Sequence, residues 1–545
     1  MRIPGMSAVA TGVLLAAGAF CVAQTSGGAQ TARQANPTSV PDGGHPQSVG
    51  QPGTPRPQGQ GGGGGGRMMA PIGVPVEGMP FVHDPSTVVR WKGKYWVFST
   101  GRGAPFYSSP DTVTWTREGS VFDQIPEDVH AAVPKNNGTD VWAPDVIRMN
   151  GEFYVYYAVS SWGSFQSVVA LATNPTLDPK DPDYKWTDRG VVVSSNGNED
   201  LNAIDPGVMK GPDGRLWICY GSYHGSIRVT ELDPKTGLAK EPGRLGAAIA
   251  TARESEATDL IFHDGYYYLF VNHNSCCKGK NSEYNIRVGR SKDVLGPYID
   301  KHGRTMAEGG GSLFLAAHDH RIGPGHFGRV VDYDANDEKD VEAGSDNVGA
   351  ERFSIHYEAD MTRGGRSVLD IRPLLWSVDG WPAAGDNLGE GTYQLVSRMS
   401  ENTLEETVAP AVNPAGPAGT DPAPTSAPAP TIQPGQARLN RYLTLENQKW
   451  TIAPVANGFY KIVNAGTGDA LGVNSDAAIA GDSLQLKLEP FTSADGQLWH
   501  LDQFPDGGCR IRNKTGATLG MGERGSVTVG AFTRDDTHLW EITTP

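Results

Sequence analysis

The sequence is poor in basic residues relative to acidic ones, and it lacks long hydrophobic runs. Its 46 lysines and arginines stand against 61 aspartates and glutamates, which gives a formal net charge of −15 at pH 7. Nucleic-acid binding needs a positively charged surface, so this balance argues against nucleic acid as the main partner. No basic amphipathic stretch indicates a membrane surface, and no apolar run is long enough to span a bilayer. A neutral polymer and a small ligand are both compatible with the charge.

Cysteine is also scarce, and its spacing is not that of a zinc site. Outside the first 23 residues the cysteines are Cys219, Cys276, Cys277 and Cys509. The adjacent pair Cys276-Cys277 could form a vicinal disulfide that stiffens a loop in an oxidising compartment, or it could be two free thiols. The sequence leaves both alternatives open.

Glycine and proline, at 70 and 39 residues, are abundant and favour turn-rich all-β structure over helix bundles. Residues 1–23 combine a positive start, a short apolar run and a small-residue cleavage site, so we predict a signal peptide and a secreted protein, extracellular or periplasmic. Residues 24–70 are a Gln-, Pro- and Gly-rich segment that we expect to be disordered. Residues 408–436, rich in Pro and Ala, predict a semi-stiff linker. A large domain at 71–407 and a smaller C-terminal segment at 437–545 remain.

The large domain repeats one pattern, an apolar run, a turn with glycine and an alternating aromatic strand, which is typical of a β-hairpin. The four copies read VVRWKGKYWVFST, VIRMNGEFYVYYAV, VMKGPDGRLWICYG and LIFHDGYYYLFVN. Their turn glycines, Gly93, Gly151, Gly214 and Gly265, are 58, 63 and 51 residues apart, a propeller-blade period lengthened by loops. A less regular fifth unit fits RFSIHYEA at 352–359. We therefore predict an all-β fold with a five-bladed β-propeller; the alternative, a β-sandwich, lacks such a long-period repeat.

The C-terminal segment has its own repeat, with QKWTI, QLWHL and HLWEI around Trp450, Trp499 and Trp540. This spacing predicts a β-trefoil of three similar lobes, the first of them truncated. The segment resembles ricin-type lectin modules over nearly all of 437–545, which implies carbohydrate binding. A purely structural cap is the alternative, since a repeated Trp often belongs to a trefoil core.

Three acidic residues precede hairpins at comparable points of the repeat: Asp84 in HDPS, Asp205 in NAIDPG and Glu256 in ESEATD. A lone Asp before Pro usually caps a turn, but acids at one phase of a circular repeat converge on its axis. Like charges gathered there raise one another's pKa and keep one carboxyl protonated near neutral pH. One protonated and one ionised carboxyl are the minimum for glycosidic cleavage. Glu254 is the alternative to Glu256 for the acid.

Four motifs in order resemble glycoside hydrolase family 43, and within it most closely the endo-α-1,5-L-arabinanases. They are HDPS at 83–86, WAPD at 142–145, NAIDP at 202–206 and Glu256 before GYYYLFVN. The resemblance covers about residues 75–385. It implies a five-bladed propeller and an inverting hydrolysis of arabinofuranosyl linkages. Carried over, Asp84 is the general base, Glu256 the general acid, and Asp205 the residue that tunes the acid's pKa and orients it.

The same resemblance implies a substrate groove built from Gly163, Asn202, Ala203, Ile204, Ser222, Tyr223 and His224. Two segments depart from the arabinanase pattern. Ser222-Tyr223-His224 replaces the usual Ser-Phe-Trp, and Glu256-Ala257-Thr258-Asp259 replaces Glu-Gly-Pro-Tyr. We therefore expect altered aromatic stacking in the groove.

The resemblance also implies a metal. GPGH at 323–326 matches the family's fifth-blade motif, in which the histidine, here His326, holds a metal, commonly calcium (Ca²⁺), mostly through waters. The implied partner is plant cell-wall arabinan or a related arabinose-containing polysaccharide, and we expect a monomer. The alternatives are an exo-acting α-L-arabinofuranosidase or β-xylosidase of the same family, and a non-catalytic sugar-binding propeller. The presence of three carboxylates favours the enzyme.

Overall fold

The computed structural model describes residues 69–78, 80–334, 351–408, 433–455, 458–474 and 484–545. Within these ranges strands dominate, and the predicted all-β class is confirmed. The predicted signal peptide and nearly all of the low-complexity segment lie outside the described residues. No helix in the described part of the chain is both long and apolar enough to cross a membrane.

Helical structure is limited to short pieces. One α-helix, α1, spans Glu127–Ala132. The 3-10 turns of the described residues are Gly279–Asn281, Met306–Glu308, Met361–Arg363, Glu446–Gln448, Asp495–Gln497, Glu523–Gly525 and Asp536–His538.

The described residues up to 384 contain 22 strands. In chain order they are β1 (Ala70–Pro71), β2 (Val88–Trp91), β3 (Lys94–Phe98), β4 (Gly101–Arg102), β5 (Pro105–Ser109), β6 (Thr116–Ser120), β7 (Asp140–Met149), β8 (Glu152–Val159), β9 (Gln166–Asn174), β10 (Thr187–Asn196), β11 (Gly207–Lys210), β12 (Leu216–Tyr220), β13 (Ser226–Leu232), β14 (Ala247–Thr251), β15 (Ser255–His263), β16 (Tyr266–His273), β17 (Asn285–Ser291), β18 (Ser312–Leu315), β19 (Arg321–Asp332), β20 (Arg352–Asp360), β21 (Arg366–Trp376) and β22 (Pro382–Ala384).

Strands β2 to β22 form five antiparallel units, each with four strands in sequence order. We number them unit 1 (β2, β3, β5, β6), unit 2 (β7 to β10, with β4 on its edge), unit 3 (β11 to β14), unit 4 (β15 to β18) and unit 5 (β19 to β22). Units 1 and 5 share a sheet because β2 runs parallel to β19, with Val88 opposite Val330. The last unit is thereby joined to the first.

The predicted hairpins are confirmed at the starts of units 1 to 4. The chain turns through Lys92-Gly93 with φ of 49° and 75°, through Asn150-Gly151 with 52° and 80°, and through Asp264-Gly265 with 45° and 80°. Two successive positive φ angles define a type I′ turn, whose twist matches that of the flanking strands. Glycine adopts this conformation without steric cost, which explains its recurrence in the repeat.

Apolar cores and hydrogen bonds connect each unit to its neighbours. Five buried clusters lie between successive units, including one between unit 5 and unit 1. Polar contacts cross the same boundaries near the first strand of each unit. They run from Thr87 N to Asp145 Oδ1 (2.9 Å), Val208 N to Asp145 Oδ2 (2.8 Å), Ala257 N to Asp205 Oδ2 (3.1 Å), His326 N to Asn272 Oδ1 (2.9 Å) and Asp84 N to His356 Nδ1 (3.0 Å).

The remaining strands belong to a separate sheet that also includes β1. They are β23 (Gly391–Ser397), β24 (Thr403–Glu406), β25 (Ala437–Asn440), β26 (Trp450–Pro454), β27 (Tyr460–Asn464), β28 (Asp469–Val473), β29 (Leu486–Pro490), β30 (Trp499–Gln503), β31 (Cys509–Asn513), β32 (Thr518–Met521), β33 (Val527–Gly530) and β34 (Trp540–Thr543). We call residues 391–545 the C-terminal module.

The three repeated tryptophans occupy equivalent places in this module. Trp450, Trp499 and Trp540 are fully buried in one core. Each indole N–H donates to a leucine carbonyl, at 2.8 to 2.9 Å, and the acceptors are Leu404, Leu471 and Leu519. A buried indole needs such a partner. The repeated tryptophans of the sequence therefore mark three equivalent positions in this core.

Strand pairing places the last part of the predicted large domain, β23 and β24, with the C-terminal strands. β23 and β24 precede residues 408–436, yet β23 pairs with β26 and β34, and β24 pairs with β25. Two strands of the C-terminal sheet therefore lie upstream of the Pro- and Ala-rich segment. That segment is an insertion between β24 and β25, and its composition concealed the continuity of the sheet.

The C-terminal module is attached to the five units through specific contacts. β1 pairs with β30, and Ile72 N donates to Leu501 O at 2.8 Å. The side chain of Gln503 accepts a hydrogen bond from Asp386 N at 2.6 Å and donates one to Asp386 O at 3.0 Å. These bonds fix the module against the segments that flank unit 5 and precede unit 1. The predicted linker at 408–436 lies mostly outside the described residues and stays a prediction.

Candidate active site

Each of the five units begins near a residue in the left-handed region of backbone conformation. These residues are Asp84, Ala143, Asp205, Ala257 and His326, with φ of 49°, 40°, 57°, 51° and 58°. Non-glycine residues adopt such angles at an energetic cost, so the surrounding contacts must hold them there. The chain therefore changes direction at the same point of every unit, and the side chains at or beside this point have equivalent positions.

Most of the predicted site residues line one pocket of about 360 Å³. The predicted residues found there are Asp84, Gly163, Asn202, Ile204, Asp205, Ser222, Tyr223, Glu256 and His326. The other lining residues were not predicted as site residues; they are His83, Thr100, Trp142, Ser160, Ser161, Trp162, Ser164, Phe165, Cys276, Cys277 and Tyr284.

Two residues predicted to contact substrate do not line the pocket. Ala203 is fully buried, and its N–H donates to Ser195 Oγ at 3.0 Å. The ring of His224 stacks on Phe165 at a centroid distance of 4.0 Å, and its Nε2 lies 3.1 Å from Glu199 O. His224 thus supports an aromatic wall of the pocket from behind.

Asp84 is held in its ionised form. Thr100 Oγ1 donates to Asp84 Oδ2 at 2.6 Å, and His326 Nδ1 lies 3.3 Å from Asp84 Oδ1. Burial alone raises the pKa of this carboxyl, but the positive charges of His83 and His326 outweigh burial and bring the pKa well below its ordinary value. In turn, burial lowers the pKa of His83, but Asp84 and neighbouring groups raise it to about 10.

His356 contributes to this arrangement as a neutral imidazole. Its Nδ1 accepts the backbone N–H of Asp84 at 3.0 Å, so that nitrogen carries no proton. The proton is therefore on Nε2, which faces Glu358 Oε1 at 3.7 Å. Burial and the charge of His83 lower the pKa of His356, in agreement with this tautomer. His356 orients the backbone of Asp84 and does not neutralise its carboxylate.

The pKa of Glu256 shifts upward, in the opposite direction to that of Asp84. The phenol of Tyr284 donates to Glu256 Oε1 at 2.6 Å, and Ser222 Oγ donates to Oε2 at 2.8 Å. Burial raises the pKa of Glu256, and the charge of Asp84 adds to this effect, while the two hydroxyl donors oppose it. The net direction is upward, which favours the protonated acid at neutral pH. Glu254 lines a neighbouring cleft instead of the pocket.

The pKa of Asp205 shifts upward, as that of Glu256 does. Its Oδ2 accepts the N–H of Ala257 at 3.1 Å, which joins it to the residue next to Glu256. Burial and repulsion from Glu256 raise the pKa of Asp205 well above its ordinary value. Two buried carboxyls that repel each other cannot both ionise easily, so Asp205 and Glu256 share a tendency to retain protons.

His326 separates the pocket from a second, small cavity on the opposite side of its ring. Asp145 and Asp259 line this second cavity together with residues at the starts of all five units. Asp259 Oδ2 is buried without a hydrogen-bond partner, and burial raises the pKa of Asp259 to about 8. An orphaned buried carboxylate oxygen beside an imidazole is a donor set that fits an oxygen-preferring cation.

The pocket opens towards a larger cleft of about 1230 Å³. Trp162, Tyr223, Cys276 and Cys277 line both spaces. Trp162 is 79% exposed and lies beside Trp142 at a centroid distance of 5.7 Å. A large exposed aromatic at the mouth of a pocket is a surface on which a sugar ring can stack. Gly163 has a φ of 71° and no atom near the position of a Cβ, so the backbone is open to close approach there.

Several of these residues could not be found from local sequence signals. Tyr284 contacts Glu256 because Gly325 leaves room for its ring, where a Cβ would lie 2.4 Å from Tyr284 Cε1. Thr100 bridges Asp84 and the N–H of Ala143, 2.7 Å away. Such contacts join residues from separate segments of the chain and carry no pattern. Trp162 did have a signal, since an aromatic stands directly before the predicted Gly163.

Comparison with known proteins agrees with this site. The profile of Glycosyl hydrolases family 43 matches residues 76–382, and that of the Ricin-type beta-trefoil lectin domain-like family matches residues 446–531. The resemblance drawn from the four motifs and from the repeated tryptophans is therefore confirmed. The C-terminal residues form a ricin-B lectin-like domain.

Individual relatives align over the five units. The chain is 35% identical over 315 residues to the extracellular exo-alpha-(1->5)-L-arabinofuranosidase ArbA of Cellvibrio japonicus, which spans 55% of this chain and 85% of that protein. It is 34% identical over 309 residues to the extracellular endo-alpha-(1->5)-L-arabinanase 1 of Bacillus subtilis, over 55% and 87%. The solved structure of Cellvibrio cellulosa alpha-L-arabinanase is similar, with a TM-score of 0.51 and 31% identity over 57% of this chain and 100% of that chain.

The family match covers more than half of the chain and includes the first strand of each of the five units. It also includes Asp84, Asp205 and Glu256, which line one pocket. The protein is a glycoside hydrolase, which excludes the alternative of a non-catalytic sugar-binding propeller. The chain belongs to glycosyl hydrolase family 43.

Proposed function

We propose that this protein is a secreted, endo-acting arabinanase that cleaves α-1,5-linked arabinofuranosyl bonds with inversion. The observation that carries the proposal is the opposite displacement of two pKa values in one pocket, downward for Asp84 and upward for Glu256. An ionised base and a protonated acid are the pair that direct displacement by water requires.

In this mechanism Asp84 is the general base and Glu256 the general acid. Asp84 Oδ1 or Oδ2 takes a proton from a water molecule as that water attacks the anomeric carbon. Glu256 gives its proton to the departing sugar oxygen, and the hydroxyls of Tyr284 and Ser222 stabilise the carboxylate that remains. Asp205 tunes and orients the acid: its Oδ2 accepts the N–H of Ala257 beside Glu256, and ionisation of either carboxyl opposes ionisation of the other.

The shape of the site supports endo action. The pocket continues into the adjoining cleft past Trp162 and Tyr223, so a polysaccharide substrate can extend beyond the cleaved bond. The named relatives include an exo-acting and an endo-acting enzyme. Exo-acting arabinofuranosidase activity is therefore the second candidate, favoured by the similarity to the Cellvibrio japonicus protein. A β-xylosidase has no such relative among those described above.

A product profile distinguishes these candidates. Linear arabinan, arabinoxylan and aryl glycosides are digested in parallel, and products and viscosity are followed. Endo action on arabinan predicts short oligomers with a rapid loss of viscosity. Release of monomer alone, with viscosity falling slowly, would instead establish exo action.

We infer that the cavity behind His326 holds calcium. The imidazole of His326 and the carboxylate of Asp259 are the side chains that would bind it, with waters completing an oxygen-rich shell. The ion would neutralise the buried carboxylate and fix His326 against Asp84. Its role is structural, and no chemical step passes through it.

We infer further that the five units are the blades of a five-bladed propeller, since the contacts run from each unit to the next and from unit 5 to unit 1. The three tryptophan-centred groups of strands support a complete β-trefoil. We propose that this module binds carbohydrate and, being fixed beside the catalytic units, holds them on the polysaccharide. Export by the segment at 1–23 agrees with the extracellular relatives, and a monomer stays the expected state.

A further inference from the structure

His83, Cys277 and Glu358 bring three different ligand types together at one wall of the active-site pocket. One nitrogen, one sulfur and one oxygen atom of these residues all lie within 4.8 Å of one another. The residues come from the segment before β2, from the loop between β16 and β17, and from β20. Because three units supply them, no spacing of cysteines along the sequence indicates the cluster.

Other contacts hold the cluster in place. The backbone N–H of Cys277 donates to Glu358 Oε1 at 3.0 Å, so this hydrogen bond holds the loop that carries Cys277 beside the carboxylate of Glu358. The side chain of Glu358 is 4% exposed, whereas Cys277 is exposed and lines the pocket. Both Cys276 and Cys277 are free thiols. A fixed carboxylate and imidazole thus face a thiol that solvent can reach, which gives a cation a route of entry.

The chemistry of this set selects a particular class of ion. Calcium and magnesium prefer oxygen ligands and are poorly served by a thiolate. Imidazole, thiolate and carboxylate together, with a fourth position open, are typical ligands of zinc. We propose that His83, Cys277 and Glu358 bind a thiophilic divalent cation such as Zn²⁺ at the edge of the active-site pocket. On binding, the thiol proton of Cys277 and the imidazolium proton of His83, whose pKa is about 10, both pass to solvent, and water fills the fourth position.

A second group of potential ligands lies close by but is already in use. His83, Asp84 and His356 also approach one another within 4.8 Å. However, His356 Nδ1 accepts the N–H of Asp84, and Asp84 Oδ2 accepts the hydroxyl of Thr100. That group belongs to the general base. In the cysteine-containing group, Cys277 and Glu358 have no such role in the proposed mechanism, and only His83 is shared with the general base.

The position of the cation predicts inhibition, and this consequence rests on the proposed function. His83 Nε2 lies 3.6 Å from Asp84 Oδ1, so an ion on His83 stands directly beside the general base. It would occupy the space that the attacking water needs and would withdraw His83 from Asp84. Inhibition should therefore be reversible and independent of the calcium behind His326.

The test uses the full chain, reduced with a phosphine and kept in calcium. Cd²⁺ is titrated as a spectroscopic probe, since cadmium thiolate absorbs in the ultraviolet, and Zn²⁺ is then added in competition. Cys277→Ser and Glu358→Gln remove one ligand each. Cys509→Ala is the matched control, because Cys509 is a buried thiol of the C-terminal module. Arabinan hydrolysis is measured with Zn²⁺ and again after a chelator selective for zinc over calcium.

We expect one cadmium per chain in the wild type and in Cys509→Ala, and no thiolate band in Cys277→Ser. Glu358→Gln should weaken binding by more than the about 10- to 100-fold that loss of an outer-shell partner costs. An unchanged band and affinity in Cys277→Ser, or no band in the wild type, would overturn the site. If the chain binds cadmium as expected but does not hydrolyse arabinan, the proposed function fails and the site stands. If the chain hydrolyses arabinan but shows no cadmium band, the metal site fails and the proposed function stands.

Discussion

The phenol of Tyr284 donates a hydrogen bond of 2.6 Å to Glu256 Oε1, inside a pocket where that carboxyl is otherwise kept protonated. The bond strengthens as Glu256 loses its proton, so it acts mainly in the transition state. It also lowers the pKa of Glu256 against the effect of burial.

Tyr284→Phe should therefore reduce turnover and also shift its pH dependence. A hydrogen bond to a charged group is worth roughly 1.5–3 kcal/mol, which corresponds to a loss of about 10- to 100-fold in kcat. Without the donor, the pKa of Glu256 rises, so the alkaline limb of the kcat/KM profile should move to higher pH. A fall in kcat with an unmoved limb would mean that Tyr284 only shapes the pocket.

Asp205→Asn should stabilise the fold at neutral pH. The folded pKa of Asp205 lies above its unfolded value, so the native carboxyl binds its proton more tightly. Stability then falls as pH rises from the unfolded pKa of about 4 towards the folded pKa. Asparagine removes this loss and can still accept the N–H of Ala257.

The Tm of Asp205→Asn should accordingly exceed that of the wild type at pH 7 and match it at low pH. The variant should also lose activity, with the alkaline limb moving to lower pH because Glu256 is no longer repelled. An equal Tm difference at every pH would contradict the electrostatic explanation. Thermal unfolding across a pH series provides the measurement.

Removal of calcium should lower the melting temperature. Asp259 Oδ2 has no hydrogen-bond partner and burial raises the pKa of Asp259 to about 8, so without a cation the ionised form is disfavoured and this buried oxygen lacks a partner. We expect EDTA to lower Tm and added Ca²⁺ to restore it. Asp259→Asn is the matched variant, and its Tm should respond much less to either reagent. An identical response in the variant and the wild type would place the ion elsewhere.

The position of truncation should decide whether the five units are soluble without the C-terminal module. A chain that ends at residue 407 keeps β23 and β24 but loses β25, β26 and β34, their pairing partners. It also exposes Leu395 and Leu404, which are fully buried in the complete chain. Unpaired strand edges and exposed leucines promote aggregation.

A chain that ends at residue 390 lacks both strands and should be the better-behaved protein. Size-exclusion chromatography and thermal unfolding of the two truncations make the comparison. A monomeric, stable protein ending at 407 would contradict the assignment of β23 and β24 to the module.

The sequence predicted the features that arise from local patterns. The hairpins could be predicted because the I′ turns require glycine at a fixed place, as at Gly93 and Gly265. The acids could be predicted because Asp84 and Asp205 mark the same point of the repeat. In contrast, β23 and β24 could not be assigned to the trefoil, because a Pro- and Ala-rich insertion separates them from β25.

Contacts between separate loops also could not be predicted from the sequence. The partners of the two carboxyls, Thr100 for Asp84 and Tyr284 for Glu256, lie between strands and carry no motif. His224 was predicted to contact substrate, but its ring stacks on Phe165 and does not line the pocket. Side-chain direction at a strand end depends on packing that only the assembled fold defines.

The most direct test of the account is the activity of Glu256→Gln on two arabinofuranosides. Arabinan needs its leaving oxygen protonated, whereas a dinitrophenyl arabinofuranoside has a leaving group that does not. The account predicts that the variant loses nearly all hydrolysis of arabinan but retains most of its kcat on the dinitrophenyl glycoside, with the inverted anomer as first product by NMR. Equal loss on both substrates, or a product of retained configuration, would contradict the assignment of Glu256 as the acid of an inverting pair.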